Sequence, residues 1–215
     1  MEIYDTEEEQ LEAVKRWWKE NGTSTIVGLA IGIAVIVGWN YFQDHKKEQA
    51  NQASAIYDQL IKASETNQKD SVDKLAKRLE EQFSGTNYAA YAGLFQAKFK
   101  VDQGDIAGAK DILKKIAAGS DKELSHVAKI RLVKLMLASG EYEDGLKLIN
   151  GIDQSGAAKF SDNYDELVGD LYVALDRLDE ARTSYQKAQK NGYQSPLLQL
   201  KIDDLTAPET VAAKK

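Results

Sequence analysis

Side chains able to make or break bonds are few and scattered in this chain. It has two histidines, His45 and His126, far apart in sequence, and no cysteine. Neither histidine has a second His or Cys at metal-ligand spacing, so no zinc-type site is expected. Thiol chemistry, thiolate metals and disulfides are excluded outright. No G-x-S-x-G elbow, phosphate-binding glycine loop or H-E-x-x-H helix is present. The paired acids Glu80, Glu81 and Asp203, Asp204, like the run Glu7, Glu8, Glu9, read as solvated faces. The expectation is a protein without catalytic residues, metal or cofactor, whose chemistry is that of binding surfaces.

The residues best spaced for such a surface sit in a repeat. Gly104-Asp105-Ile106-Ala107-Gly108-Ala109 recurs as Gly140-Glu141-Tyr142-Glu143-Asp144-Gly145 and again as Asp176-Arg177-Leu178-Asp179-Glu180-Ala181, a period of 36 residues. In that register Ala109, Gly145 and Ala181 put a small residue where two helices must approach closely. Leu113, Ile149 and Tyr185 follow on the apolar face of the second helix, and Ala97, Val133 and Gly169 align on the first. Helical hairpins that cannot bury their faces alone stack into a solenoid with a concave groove. The outward face of each first helix carries Tyr91, Leu94 and Lys98, then Val127, Ile130 and Lys134, then Asn163, Glu166 and Asp170. The first two triplets suit an extended or amphipathic peptide of some acidic character; the third turns acidic and grades the groove electrically. Packing between neighbouring units is an equally good reading of Leu94 and Ile130.

These hairpins need few breaks, and the chain has only two prolines, Pro196 and Pro208. Ser195 and Pro196 signal the start of a C-terminal capping helix. An earlier pair, 50–63 and 72–83, reads as a diverged hairpin off register. The third unit fits the tetratricopeptide pattern best, with Gly169, Tyr172, Ala181, Tyr185 and Ala188 in the family's places. The fold class expected is all-α: one N-terminal transmembrane helix followed by a tetratricopeptide-like solenoid.

The transmembrane element is residues 23–42, TSTIVGLAIGIAVIVGWNYF, without charge from Ile26 to Trp39. Twenty residues at about 1.5 Å each span roughly 30 Å, the thickness of a hydrocarbon core. Trp17, Trp18, Trp39, Tyr41 and Phe42 bracket it where aromatic belts belong. A cleaved signal peptide is disfavoured by the long acidic head and the absence of a nearby small-residue cleavage site. Lys15, Arg16 and Lys19 precede the span and Lys46 and Lys47 follow it, a slight bias toward a cytoplasmic N-terminus. Gly28 and Gly32 form G-x-x-x-G, and Ala30, Ala34 and Gly38 lie opposite. These faces permit helix pairing, although glycine is common in membrane helices in general.

Residues 1–22 form an amphipathic head in which Leu11, Val14 and Trp18, with Trp17 beside them, can lie along the membrane surface. Asn21-Gly22 reads as its stop signal. Residues 43–205 make the repeat domain with its capping helix, and 206–215 a flexible tail. Net charge is −6 with no basic run, which argues against nucleic-acid binding.

The opening M-E-I-Y, the motif E-x-Q-x-E-A-V-K-R-W-W-K-E-N-G, one span and a degenerate tetratricopeptide tail together resemble the YfgM family, ancillary subunits of the SecYEG translocon. The resemblance implies a single-pass inner-membrane protein with a cytoplasmic head and a periplasmic repeat domain. It further implies partners: SecYEG, the membrane-anchored periplasmic chaperone PpiD, and exported client proteins passed to periplasmic chaperones. It supplies no catalytic residue. The competing functional reading is a regulatory adaptor whose cytoplasmic head binds a stress-response signalling protein.

Overall fold

The apolar run and the residues on both sides of it fold as one helix, α1 (Glu7–Glu65), in a computed structural model that describes residues 7–153, 157–190 and 195–206. The chain divides into two units, Met1–Ser54 and Ala55–Lys215, with the boundary inside α1.

In the first unit, Ile26, Leu29, Ile33 and Ile36 are all more than half exposed, Leu29 at 65%. Around them the helix is apolar on every side, and an 18-residue window reaches a mean hydropathy of 1.8. Among the described residues this is the one helix long and apolar enough to cross a membrane. The expected stop at Asn21-Gly22 does not occur: the helix continues through it. Asn21 Nδ2 donates to the Trp17 carbonyl at 3.1 Å and Thr25 Oγ1 to the Asn21 carbonyl at 2.9 Å, so the side chains serve the helix rather than end it. Gly22 lies beneath the Trp18 ring, where a Cβ would come within 3.2 Å of Cε2. The glycine makes room for an indole, which accounts for it without a turn.

The second unit is built of helical hairpins. The last turns of α1 pair with α2 (Lys69–Gln82); α3 (Asn87–Asp102) pairs with α4 (Ile106–Ala117), and α5 (Lys122–Ala138) with α6 (Tyr142–Asn150). A short 3-10 turn, Ala158–Phe160, leads into α7 (Ser161–Ala174), which pairs with α8 (Leu178–Lys190). The capping helix is α9 (Pro196–Thr206). The described residues contain helices, turns and no strand. Beyond Thr206, the expected tail lies outside the described residues.

The turns repeat in atomic detail. Gly104, Gly140 and Asp176 follow the first helix of their hairpins with φ of 81°, 78° and 58°. In each case the next residue's N–H reaches back five positions: Asp105 to the Lys100 carbonyl at 2.9 Å, Glu141 to Met136 at 2.9 Å, Arg177 to Tyr172 at 2.8 Å. This is the Schellman closure, which satisfies helix-end carbonyls and reverses the chain. Asn67, φ 56°, does the same for the first hairpin, with Gln68 N–H on the Ala63 carbonyl at 2.8 Å. It stands 37 rather than 36 residues before Gly104, so that hairpin is one residue out of register. Asp105 and Asp121 then cap the helices that follow, accepting from Gly108 N–H and Leu124 N–H at 2.9 Å each.

Packing follows the same period. Ala109 and Ala181 are fully buried, and a Cβ on Gly145 would sit 3.0 Å from Leu171 Cδ2. Leu94, Ala97, Leu113, Ala128 and Leu132 join α3 and α4 to α5. Val133, Ile149, Leu167 and Leu171 join α5 and α6 to α7, and Tyr185, Ala188, Leu198 and Ile202 join α8 to α9. Each hairpin thus completes its burial on the next one.

A Cβ at Gly169 would overlap the Tyr185 ring. Gly169→Ala is therefore expected to lower the unfolding free energy by about 2–3 kcal/mol through overpacking, read by urea titration of the full chain in detergent. Asp176→Gly removes the left-handed strain of a residue with a Cβ and should raise stability by about 0.5–1 kcal/mol in the same assay.

Candidate functional site

The three positions Tyr91, Leu94 and Lys98 recur at helical spacing on α3 and share one face. The structure brings them together with Tyr57 of α1, Phe95, and Arg131 of α5 around a pocket of about 200 Å³. Leu94 is 7% exposed and belongs to the core joining α3 to α5, so the pocket floor is also the core wall. Three tyrosines gather at its rim. Ring centroids of Tyr57 and Tyr88 are 5.8 Å apart, Tyr57 and Tyr91 6.4 Å, and Tyr88 and Tyr91 6.1 Å with the last pair edge-to-face. Arg131 Nη1 donates to the Leu94 carbonyl at 3.2 Å, which ties the guanidinium to α3. Lys98 has a loose pair with Asp102 at 3.7 Å on the exposed surface.

The second triplet divides. Val127 packs against the core shared by α3, α4 and α5, and Ile130 against the next one toward α7, while Lys134 stays exposed. In the third triplet, two carboxylates share one lysine. Lys201 of α9 reaches Glu166 Oε1 at 2.8 Å and Asp170 Oδ1 at 2.6 Å, and Tyr185 Oη donates to the same Asp170 oxygen at 2.7 Å. Burial pulls the Lys201 ammonium down, but its hydrogen bonds to Asp170 and Glu166 outweigh that and hold it above the usual lysine value. One lysine thus pairs with two carboxylates, so the acidic character of that end is reduced to a single net negative charge.

Sequence reasoning missed Tyr57, Tyr88, Phe95 and Arg131. The spacing of Tyr88 and Tyr91 on one helix was a usable signal; Tyr57 was hidden by the out-of-register first hairpin.

Other candidates carry less. A larger cavity of about 760 Å³ lies between α6, α7 and α8. Its charges are committed: Lys187 to Asp165 at 3.2 Å, Arg177 to Glu180 at 2.9 Å, Arg182 to Asp179 at 2.7 Å. Among the described residues no cluster of three His, Cys, Asp or Glu could hold a metal. His126 is 6% exposed, stacked on Phe160 at 5.0 Å, and its Nδ1 shares a 2.8 Å hydrogen bond with Tyr164 Oη. Burial lowers its pKa, with the nearby Lys129 charge adding to the effect, and burial pushes the Tyr164 hydroxyl up to about 12. This is a core histidine whose charged form burial disfavours.

In the first unit, positions where a Cβ would stand on Gly28, Gly32 and Gly38 have nothing within 4 Å, and Ala30 and Ala34 are exposed. Leu11, Val14, Trp17 and Trp18 are likewise exposed, with the two indole centroids 6.3 Å apart. Both sets remain open surfaces of α1.

The fold defines a helical-repeat protein whose N-terminal helix is long and apolar enough to cross a membrane. The tetratricopeptide repeat-like domain family matches residues 15–207, taking in the span as well as the hairpins. Relatives named "Ancillary SecYEG translocon subunit" align over nearly the whole chain. That of Haemophilus influenzae is 33% identical, covering 94% of this chain and 99% of the relative. Those of Aggregatibacter actinomycetemcomitans and Escherichia coli K12 are 30% and 29% identical, covering 93% and 96% of this chain and 97% and 100% of theirs. The chain belongs to this family, the ancillary SecYEG translocon subunits, which the head motif had suggested.

His126 gives the domain an acid-sensitive stability. Its folded pKa is depressed, so its contribution is complete above the unfolded value of 6.5 and is lost as pH falls from there through the folded value. Thermal unfolding of the full chain between pH 7.5 and 5 should show this loss, and His126→Gln should flatten the slope whatever its effect on the baseline.

Proposed function

We propose that this chain is a non-enzymatic ancillary subunit of the Sec translocon in a bacterial inner membrane. Residues 23–42 anchor it, residues 1–22 face the cytoplasm, and the repeat domain stands in the periplasm. There it scaffolds a PpiD-type membrane-anchored chaperone near the channel exit and helps newly exported proteins pass to the periplasmic chaperone network. The observation that carries this reading is the near end-to-end alignment with relatives named for that channel, anchor and repeats included. A solenoid whose clefts hold paired charges and a tyrosine-rimmed pocket, rather than an acid–base constellation, fits a scaffold. The excess of Lys15, Arg16 and Lys19 over Lys46 and Lys47 agrees in sign with the topology.

Deleting residues 55–215 while keeping the anchor should abolish co-purification of a PpiD-type chaperone with the tagged chain from solubilised membranes. Deleting residues 2–22 should leave it within about two-fold, since the head is on the other side of the membrane in this reading. Unchanged chaperone recovery after loss of the repeat domain overturns the proposal.

A further inference from the structure

The pocket on α3 has a composition that selects a ligand. Tyrosine clusters of this kind often receive cations, because ring faces are negative. Here the pocket is lined by Lys98 and Arg131 and by no carboxylate, and Lys134 follows one turn beyond Ile130 on α5. The acids at its edge are Asp102, loosely paired with Lys98, and Asp58 beside Tyr57; inside the lining a cationic ligand would meet like charge and an anionic one two donors beside the tyrosine rings. Size decides the next point: about 200 Å³ falls below the roughly 300–1,000 Å³ of cofactor pockets but is ample for a side chain. The pocket is also preformed. Leu94 is locked in the core and Arg131 is held by the Leu94 carbonyl, so little ordering remains to be done on binding. Lys98 is not strongly engaged, because an exposed pair at 3.7 Å contributes little and exchanges readily.

We propose that the pocket formed by Tyr57, Tyr91, Phe95, Lys98 and Arg131 binds an acidic, extended segment of a partner polypeptide, seating a proline or aromatic side chain against the tyrosines and an adjacent carboxylate on Arg131 and Lys98. The inference rests on the partner-binding reading above and names the chemistry of the partner. Arg131 supplies a planar fork suited to a bidentate carboxylate, while Lys98 adds charge without a fixed geometry. Tyr88 backs the two tyrosines that face the ligand and fixes their tilt.

The test uses the full chain in phosphatidylcholine nanodiscs and three fluorescein-labelled decapeptides. Each carries two Pro-Phe-Xaa triplets, with Xaa as Glu, Gln or Lys, and binding is followed by anisotropy. The Glu peptide should bind about ten-fold tighter than the Lys peptide, with Gln between them. Arg131→Gln should erase the preference for Glu over Gln, and Arg131→Lys should restore part of it. Tyr91→Ala should weaken all three peptides to a similar degree, with unchanged far-UV circular dichroism showing that the hairpins remain folded. Equal binding of the Glu and Lys peptides overturns the inference, as does full binding by folded Arg131→Gln and Tyr91→Ala variants. Chaperone co-purification is measured on the same variants. If peptide binding fails while co-purification still requires residues 55–215, the pocket assignment falls and the scaffold reading stands; if co-purification ignores those residues, the scaffold reading falls.

Discussion

Each first helix of a hairpin must end, reverse, and present its apolar face to the helix that follows, and one left-handed residue makes this possible. At Gly104, Gly140 and Asp176 the positive φ lets two backbone N–H groups turn back onto helix-end carbonyls. Without that closure the carbonyls would need water, and the turn could not be tight enough to bring the second helix back. The reversal places Ala109, Gly145 and Ala181 at the crossing, where a larger side chain would hold the helices apart. Helix spacing then fixes which residues reach the next hairpin, and so where the groove-facing side chains stand. The pocket around Tyr91 is a late consequence of a backbone angle set by one residue per repeat.

The last repeat shows what happens where the series stops. Glu166 and Asp170 occupy positions that continue the groove, yet they are drawn into pairs with Lys201 of α9 and, for Asp170, with the Tyr185 hydroxyl. Leaving two such part-buried carboxylates unpaired would be costly, because partial burial strips them of water. The capping helix supplies the counter-charge and covers the apolar residues of α8 with Leu198 and Ile202. Closing the stack in this way ties both carboxylates to one lysine, while at the Tyr91 end Lys98 is held only by its loose, exposed pair with Asp102.

How far the sequence could be read follows from the range of each interaction. The 36-residue period was legible because it is written in local chemistry: a turn residue, a small residue five positions on, apolar positions at helical spacing. The third unit's match to the tetratricopeptide pattern was legible for the same reason, and the overlap awaiting any Cβ at Gly169 explains why that place holds glycine. The apolar span was plain from length alone. Asn21-Gly22 misled because the same dipeptide ends a helix in water but serves it when Asn21 bonds back to Trp17 and Trp18 covers the glycine. The Lys201 pairs join residues 31 and 35 positions apart, and no local pattern announces them. Tyr57 reaches Tyr91 from a hairpin one residue out of step, so a fixed register could not place it beside the groove.

In the binding mode proposed above, local charge is what gives the pocket its selectivity. Residues 1–22 hold seven acids against three bases, so the repeat side of the span, with 27 acids against 25 bases, repels an acidic polypeptide only weakly, and salt screens that repulsion beyond roughly 8–10 Å. Lys98, Arg131 and Lys134 gather over a short stretch of α3 and α5, with Asp102 and Asp58 as the acids nearby, a concentration of positive charge too local to attract anions from afar. Specificity then comes from fit at close range, where a carboxylate must coincide with a ring-sized apolar group. In the binding mode proposed for this pocket, an apolar segment alone leaves the two cations unused, an acidic segment alone leaves the tyrosines unfilled, and a segment offering both engages both.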